Sequence, residues 1–399
     1  MKKCNVWLAL ALALIVKTGG ATNYYVVASG STPTPPWTNW AGAHTNLIEV
    51  IARCRDNDTV YLTNNATYYL TNQAVIGYAV TVRSWAPDGG LDPATTILNG
   101  NYPNTTNRCF TVNHDRAWLA GLTIARFIVD NHGGGVYLQR GNMTNCHVTQ
   151  NSTLGGTIFR GGGIYMDTTW TGLVTHCQIS YNTNLHQYGG GLGIDGPGTI
   201  RNCEIHNNSA PNGGTAFMNK GIIDQCVIRD NNDGIRSSTD AGSNTVIRNS
   251  LFMNTGNSYA FVMGPNPFSI INCTLISNTL YIVGDAVTNR QVIVNCIVSN
   301  SGAMTRLTPV VTNWFYNCCI ADSALPVSQG NITASPKYVN PAGNDWRLSR
   351  ESPCVNAGLD QAMIGVTDLD GRKRIDRFGG RVDMGAYEYL PSGMMFMFH

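Results

Sequence analysis

The sequence contains few charged residues. Lys, Arg, Asp and Glu make up 13% of its 399 residues, about half of the roughly 25% usual for a soluble globular domain. The 26 basic residues nearly balance the 24 acidic ones, so nothing points to a protein that binds nucleic acid through a basic excess. Apolar residues account for 43%, which is too much for a disordered chain and enough to fill a sizeable core.

The familiar catalytic patterns are missing. The chain has no HExxH, no GxSxG and no Walker loop. The polygalacturonase combination of Asn-Thr-Asp, paired Asp and Gly-His-Gly is also absent. Pectate lyases use a basic residue beside several Asp residues. Only Lys220, Asp224, Arg229 and Asp230 come near that mixture. Asp224 and Arg229 fall outside the glycine-rich strands described below, which counts against such a site.

Only one hydrophobic run stands out. It extends from Val6 to Val16 and is preceded by two lysines. Small residues follow the run up to Thr22. About 20 apolar residues are needed to span a bilayer, so the run is typical of a signal peptide over residues 1–21, cleaved near Ala21. A retained anchor is the alternative. The mature chain is expected to be secreted or held at the cell surface, with no transmembrane segment.

An internal repeat organises the rest of the chain. Eight segments of the type NCxI carry one register position, which settles into a spacing of 22–24 residues. This position is held by Cys146, Cys177, Cys203, Cys226, Ser250, Cys273, Cys296 and Cys318. Apolar and polar residues alternate around it, as they do in a β-strand. A fixed period of this length predicts a solenoid whose units stack only on their neighbours.

A glycine-rich strand shares the period. It reads GGGVYL at 133–138, GGGIYM at 161–166, GGGLGI at 189–194 and GGTAFM at 213–218. Each unit therefore holds three short strands, which is the unit of an all-β, right-handed parallel β-helix. We predict an N-terminal part over 22–105 with a capping helix at Ala41–Cys54, repeats over 106–330, and an irregular C-terminal cap over 331–399 that contains DMGAYEY.

The residue before each cysteine is Asn in six of eight repeats. Asn tolerates the left-handed conformation that a tight bend requires, and stacked Asn side chains can hydrogen-bond along the axis. We therefore expect an asparagine ladder at this position. The cysteines hold one inward position on successive coils, so they are interpreted as free thiols that pack in the core rather than as disulfides or metal ligands.

The opening YYVVASGST and NDTVYLTNNATYYLT, the NCxI repeats and the closing SPCVNAG and VDMGAYE are the motifs that carry a resemblance. The chain resembles secreted bacterial β-helix proteins with a choice-of-anchor Q domain, which share the pectate-lyase-like fold. The resemblance implies export and usually a sorting tail after the last motif. Here only LPSGMMFMFH follows Tyr389, so the mode of anchoring stays open.

By the same resemblance, enzymes of this fold carry their sites on the outer face of the strand that is glycine-rich here. Alternation along the strands predicts which side chains point outward. The first outward row is Tyr137, Tyr165, Gly193, Phe217 and Arg236, and the next is Gln139, Asp167, Asp195 and Asn219. The aromatic rings could stack on sugars together with Gln139 and Asn219, and Arg236 could pair with a uronate carboxylate.

Asp167 and Asp195 are the candidate acids. On neighbouring coils they would lie roughly 5 Å apart, which is the spacing in a retaining glycosidase. They could instead bind calcium, share a proton, or simply cap the turns that they begin. The aromatic rows are equally compatible with an ordinary strand surface, and Arg236 with a solvated side chain. No metal site or other cofactor is predicted.

Two functions fit these residues. The first is an exported, monomeric β-helix that acts as a carbohydrate-binding, adhesin-like or structural module. The second is a polysaccharide lyase or glycoside hydrolase that uses Asp167, Asp195 and Arg236. A groove walled by the loops at 151–160 and 183–188, with the two carboxylates facing each other, would favour the enzyme, and a flat face would favour binding. The C-terminal Asp, Glu and Arg residues are expected to form a salt-bridged cap rather than a calcium site.

Overall fold

A computed structural model describes most of the chain after the first 19 residues. The described residues are 20–86, 88–154, 156, 158–238, 244–253, 261–263, 267–277, 280–282, 291–299, 314–320, 327–360, 367–375 and 381–390. The predicted signal peptide therefore lies outside them except for Gly20 and Ala21. Within these ranges no helix is both long and apolar enough to cross a membrane.

Three parallel sheets run along the molecule, and most coils contribute one strand to each sheet. In the described ranges the sheet that precedes the cysteine position, here the pre-cysteine sheet, has 12 strands: Asn23–Val26, Thr59–Thr63, Thr81–Trp85, Trp118–Ala120, Asn142–Thr144, Leu173–Thr175, Thr199–Arg201, Lys220–Asp224, Asn244–Arg248, Phe268–Ile271, Gln291–Val294 and Phe315–Tyr316. The post-cysteine sheet has 11 strands in the same ranges: Ala66–Tyr69, Thr96–Asn99, Thr123–Ala125, His147–Thr149, Gln178–Ser180, Glu204–His206, Val227–Arg229, Leu251–Met253, Thr274–Ile276, Ile297–Ser299 and Cys319–Ile320.

The third sheet, here the glycine sheet, contains the glycine-rich strands. Of the residues described, nine strands belong to it: Ala74–Ile76, Phe110–Val112, Val136–Leu138, Ile164–Met166, Leu192–Ile194, Ala216–Met218, Ile235–Ser237, Phe261–Met263 and Leu280–Ile282. Smaller elements are the three-stranded sheet of Ile128–Val129, Ser152–Thr153 and Thr183–Asn184, the antiparallel pair Tyr338–Asn340 and Asp345–Leu348, and the 3-10 turns Val327–Gln329 and Pro341–Gly343.

The core runs as one column between the three sheets. Alternate residues of each strand point inward and are fully buried, as Val136 and Leu138 are in the glycine sheet and Val148 is in the post-cysteine sheet. Each strand pairs in parallel with the strands one coil before and one coil after it. The predicted all-β parallel solenoid is therefore confirmed.

The N-terminal helix is shorter than the predicted Ala41–Cys54. It spans Leu47–Arg53, and the side chain of Asn46 caps its first turn by accepting hydrogen bonds from two backbone N–H groups. His44 instead pairs in parallel with Val26 of the first strand. The apolar spacing before Asn46 belongs to this extended segment, so the prediction placed the start of the helix too early.

Two left-handed bends recur in the coils. The residue before the cysteine position has positive φ in all eight repeats, as the sequence predicts: Asn145, His176, Asn202, Gln225, Asn249, Asn272, Asn295 and Asn317. A second bend lies four residues after the cysteine position, at Gln150, Tyr181, Asn207, Asp230 and Ser277. The second bend turns the chain towards the next glycine-rich strand.

The longest buried asparagine ladder is not at the predicted position. Before the cysteine, side-chain bonds join Asn249, Asn272 and Asn295, while Asn145 is exposed. The longer ladder lies five residues after the cysteine and comprises Asn151, Asn182, Asn208 and Asn231. In it the Oδ1 of Asn182, Asn208 and Asn231 accepts both the backbone N–H and the Nδ2–H of the Asn one coil before, at 2.8–3.0 Å. Asn is required there because it supplies a donor and an acceptor in one short side chain.

The cysteine column agrees with the interpretation as core thiols. The cysteines of the described residues are free and buried. The backbone N–H of Cys146 points to the sulfur of Cys177 at 3.5 Å, and that of Cys177 points to Cys203 at 3.4 Å. Where Ser250 replaces a cysteine, its hydroxyl accepts the equivalent bond from Cys226 at 3.1 Å.

The C-terminal segment lies along the flank of the solenoid. Asn317 and Asn295 donate to the carbonyls of Ala357 and Leu359, and Asn249 accepts from Arg374 at 2.8 Å. Gln225 donates to the carbonyl of Asp368 at 2.6 Å. This contact explains why the bend asparagines are buried at Asn249, Asn272 and Asn295 and exposed at Asn145 and Asn202.

Ion pairs hold this segment together, as expected for a salt-bridged cap. Arg374 is fully buried and contacts Glu388 at 2.8 Å, and Arg347 binds Asp370 in a bidentate manner. Burial and the nearby Asp383 carboxylate raise the pKa of Glu388 to about 8 despite the Arg374 guanidinium. Asp376 and Arg377, two further charged residues near this cap, lie outside the described residues.

We predict that Asn182→Ala destabilises the protein strongly. It leaves the N–H and Nδ2–H donors of Asn151 unpaired in the core, at about 1–3 kcal/mol for each orphaned group. The free energy of unfolding in denaturant measures the loss. Asn113→Ala, at an exposed position, is the control and is expected to change stability by less than about 0.5 kcal/mol. Equal stability of the two variants would contradict a structural ladder.

A second prediction concerns pH. Because the pKa of Glu388 is raised, its stabilising effect is complete below its ordinary pKa and is lost as pH rises through about 8. Free histidines are about nine-tenths neutral at pH 7.5, so from there to about pH 8.5 the free energy of unfolding should fall by on the order of 1 kcal/mol. Glu388→Gln is expected to flatten this slope, and an unchanged slope would contradict the assignment.

Candidate functional site

The outer face of the glycine sheet, here the glycine face, carries the predicted outward row. Tyr137 pairs with Tyr165, Tyr165 with Gly193, Gly193 with Phe217, and Phe217 with Arg236. The predicted register is therefore confirmed. Tyr165 and Phe217 nevertheless keep only 6% and 5% of their surface exposed, so a second set of side chains covers them.

The covering side chains come from the residue before each glycine run. The first glycine of each run has positive φ, for example 67° at Gly133 and 73° at Gly161, which is a conformation that residues with a Cβ rarely adopt. This turn places the preceding side chain over the glycine face. The four residues form one row, here the pre-glycine row: His132, Arg160, Tyr188 and Asn212.

Each member of the pre-glycine row contacts the outward residue of the next coil. The His132 ring stacks on Tyr165 with centroids 4.1 Å apart, and Tyr188 lies 4.6 Å from Phe217. Asn212 accepts a short hydrogen bond from Arg236. Arg160 passes over Gly193, where a Cβ atom would come within 2.7 Å of the arginine Cβ. The face is therefore an interleaved layer of side chains.

Asp195 is held inside this layer. It is 5% exposed, and it accepts hydrogen bonds from Arg160 at 2.5 Å, Tyr165 at 2.7 Å and Asn219 at 2.8 Å. Burial and the Asp195 charge raise the pKa of Tyr165, so its hydroxyl stays a donor. Both carboxylate oxygens are occupied, and the carboxylate serves to position Arg160.

Asp167 sits in the same relation to the preceding coil. Its carboxylate accepts a short hydrogen bond from Tyr137 and another from Thr168 at 2.9 Å. Burial tends to raise the pKa of Asp167, but these hydrogen bonds outweigh it and hold the pKa below the ordinary value. The carboxylate is therefore ionised at neutral pH, and it is more exposed than that of Asp195.

The two carboxylates do not form an open pair of acids. Each is bonded to the tyrosine of the coil before it, Asp167 to Tyr137 and Asp195 to Tyr165. His132 lies close to both carboxylates, and burial lowers its pKa to about 4. At neutral pH it is uncharged, and its Nδ1 accepts the backbone N–H of Arg160 at 3.1 Å. The arrangement orders arginine, histidine and tyrosine side chains over the face.

The remaining predicted residues lie around this layer. Gln139 and Asn219 are half-buried at its edge, and so is Arg236. Asp224 belongs to the pre-cysteine sheet, where Arg201, Arg248 and Asn249 bind its carboxylate at 2.5–3.0 Å. Among the residues that the structure describes, no group of three His, Cys, Asp or Glu side chains is arranged to hold a metal ion.

Sequence reasoning missed His132, Arg160 and Tyr188. They precede the glycine runs, in segments read as loops, so strand alternation gave no information on them. The sequence did contain a signal for these residues. HGGG, RGGG and YGGG place one large side chain directly before the glycine run in three successive repeats. A tight turn at the first glycine makes that position point back over the sheet.

Comparison with known proteins agrees with this architecture. The sequence profile described as the right-handed β-helix region matches residues 109–278. The solved structure of pectate lyase Pel9A superposes with a TM-score of 0.62, covering 93% of this chain and 97% of that chain at 15% sequence identity. The fold is a right-handed β-helix. No curated protein sequence matches the chain.

We predict that Gly193→Ala disrupts the glycine face. The new Cβ would lie 2.7 Å from the Arg160 Cβ and 2.9 Å from the Tyr165 ring, which displaces Arg160 from Asp195 and costs about 1–3 kcal/mol. Gly77→Ala is the matched control, because no atom lies within 4 Å of a Cβ there. Thermal denaturation compares the two variants, and a Gly193→Ala protein as stable as the control would contradict the packing described.

Proposed function

We propose that this chain is an exported or cell-surface β-helix protein that binds a polysaccharide along its glycine face without cleaving it. The single observation that carries the proposal is the state of Asp195, which is buried and bonded by three side chains. A general acid or nucleophile has to reach the substrate, and this carboxylate is committed to Arg160.

Binding is supported by what remains accessible at the edge of the layer. Tyr137, Tyr188 and Arg236 are half-buried, and Tyr188 and Arg236 lie side by side, with the guanidinium 5.8 Å from the ring centroid. Aromatic rings offer apolar faces to sugars, and guanidinium groups donate hydrogen bonds to hydroxyl and carboxylate oxygens. Because these groups lie on every second coil along the axis, they could contact several sugar units of one polymer.

Export is inferred from the sequence. The lysines and the short apolar run before Ala21 support a cleaved signal peptide. The closing SPCVNAG and VDMGAYE motifs support assignment to the choice-of-anchor Q proteins. In the structure the two motifs lie along the flank of the solenoid. Asp383 joins them by accepting hydrogen bonds from the backbone N–H groups of Asn356 and Tyr389.

A polysaccharide lyase or hydrolase is the second candidate. It is favoured by the similarity in fold to a protein whose name states that it is a pectate lyase. In that case Asp167 would be the accessible carboxylate, since it is partly exposed and ionised. The two candidates differ in one observable, which is the appearance of product.

The test uses the purified mature protein and a panel of acidic and neutral polysaccharides. Retention in affinity electrophoresis reports binding, while ultraviolet absorbance of unsaturated ends and a reducing-sugar assay report cleavage. We expect retention by at least one polymer and no product. Tyr188→Ala should weaken retention about fivefold, as expected for losing an aromatic contact of roughly 1 kcal/mol.

Tyr69→Ala is the matched control, because this tyrosine is 66% exposed on the post-cysteine sheet. It should bind like the unmodified protein. Product formation that Asp167→Asn abolishes would overturn the proposal in favour of the enzyme. Absence of binding to every polymer would overturn the glycan-binding function itself.

A further inference from the structure

Two buried cysteines near the C-terminal segment lie outside the cysteine column. Cys319 follows Cys318 on the last described strand of the post-cysteine sheet, and its side chain points outward whereas that of Cys318 points into the core. Cys354 belongs to the closing SPCVNAG motif. Both are fully buried thiols, and they pack in one apolar cluster with Ile297 and Met384.

Hydrogen bonds hold the two chain segments together at this point. Asn317 donates to the carbonyl of Ala357 at 2.9 Å, two residues before Cys319 and three residues after Cys354. The thiol of Cys319 donates to the carbonyl of Ala334 at 3.1 Å, and its sulfur accepts a hydrogen bond from the thiol of Cys354. The two sulfur atoms are therefore in contact.

The cysteines of the column are arranged differently. Strand stacking holds their Cβ atoms about 4.8 Å apart, with the Cα–Cβ bonds parallel. A disulfide requires Cβ atoms about 3.8 Å apart, so neighbours in the column are poorly placed to form one. Cys319 and Cys354 instead face each other from two segments that pack together, and strand spacing does not fix the distance between them.

We propose that Cys319 and Cys354 form a disulfide that fastens the C-terminal segment to the solenoid. As the S–S bond forms, the two thiols give up two protons and two electrons. A small-molecule disulfide or a thiol–disulfide oxidoreductase of an oxidising compartment takes them up and becomes two thiols. Oxidation in the cell thus rests on the export proposed above, whereas the geometry of the pair does not.

The bond is expected to form before the C-terminal segment packs. The thiolate is the attacking species in disulfide exchange, and the hydrogen bond to Cys319 together with burial raises the pKa of the Cys354 thiol. Both side chains are 0% exposed, so oxidants and reductants do not reach them in the folded protein. A disulfide formed during folding should therefore resist reduction until the protein unfolds.

The first experiment maps the bond in protein that has been refolded in reduced and oxidised glutathione. Free thiols are alkylated in denaturant, and trypsin then releases the peptides 307–337 and 351–372. We expect mass spectrometry to find these peptides linked, with one alkylated cysteine, and to find them separate after reduction. Because Cys318 lies in the first peptide, Cys318→Ser should keep the link and Cys319→Ser should remove it.

Cys318→Ser is a matched control because the column accepts a hydroxyl group. Ser250 holds a column position, and its hydroxyl donates to the carbonyl of Arg248 as the thiol of Cys318 donates to that of Tyr316. A Cys319→Ser protein that keeps the link would overturn the proposal. So would unmodified protein whose two peptides stay separate after refolding in glutathione.

The second experiment measures the effect of the bond on stability. The bond closes a loop of about 35 residues and restricts the unfolded chain. Protein refolded in glutathione should therefore melt on the order of 10 °C higher than protein refolded in reductant. Cys354→Ser should melt at one temperature under both conditions, while Cys318→Ser should keep the difference. Equal melting of the two forms of the unmodified protein would show that the segment is not fastened in this way.

A third measurement separates the disulfide from the proposed function. The chain is produced in bacteria with residues 1–21 in place, and its thiols are alkylated during lysis. Linked peptides in protein cleaved near Ala21 support export and the disulfide together. Peptides that link only after refolding in glutathione support the disulfide and contradict export. Linked protein that no polysaccharide retains leaves the disulfide standing and removes the glycan-binding function alone.

Discussion

Each coil lies one strand spacing, about 4.8 Å, from the next, and every other feature of the molecule follows from this parallel stacking. A side chain in a coil meets the corresponding side chains above and below it, so each position has to tolerate copies of itself. Apolar residues do so by packing. A buried polar residue does so only when it both donates and accepts along the axis, which is why Asn151, Asn182, Asn208 and Asn231 form the internal ladder.

The stacking rule also governs the few charges of the chain. A charge repeated on successive coils would repel its copy, so charged residues alternate with partners from the neighbouring coil. Asp195 is neutralised by Arg160, and Asp224 by Arg201 and Arg248. On the flank the C-terminal segment has a pair of its own, in which Arg347 binds Asp370.

Much of the fold could be predicted because period-2 alternation and a fixed repeat length determine which strands stack and which side chains face outward. The row from Tyr137 to Arg236 followed from that alone. The pre-glycine residues His132 and Arg160 did not, because their direction depends on a turn at the following glycine. The ladder predicted at the bend before the cysteine is present at Asn249, Asn272 and Asn295. The longer ladder five residues after the cysteine was missed, because composition does not distinguish a bend asparagine from a buried one.

The offset between the pre-glycine row and the outward row gives the glycine face a direction. His132 contacts the next coil at Tyr165, Tyr188 contacts the next coil at Phe217, and Asn212 contacts the next coil at Arg236. In each of these contacts the side chain extends towards the following coil, so the two ends of the surface are not equivalent. A sugar polymer also has two different ends. The face therefore distinguishes the two orientations of any chain laid along it.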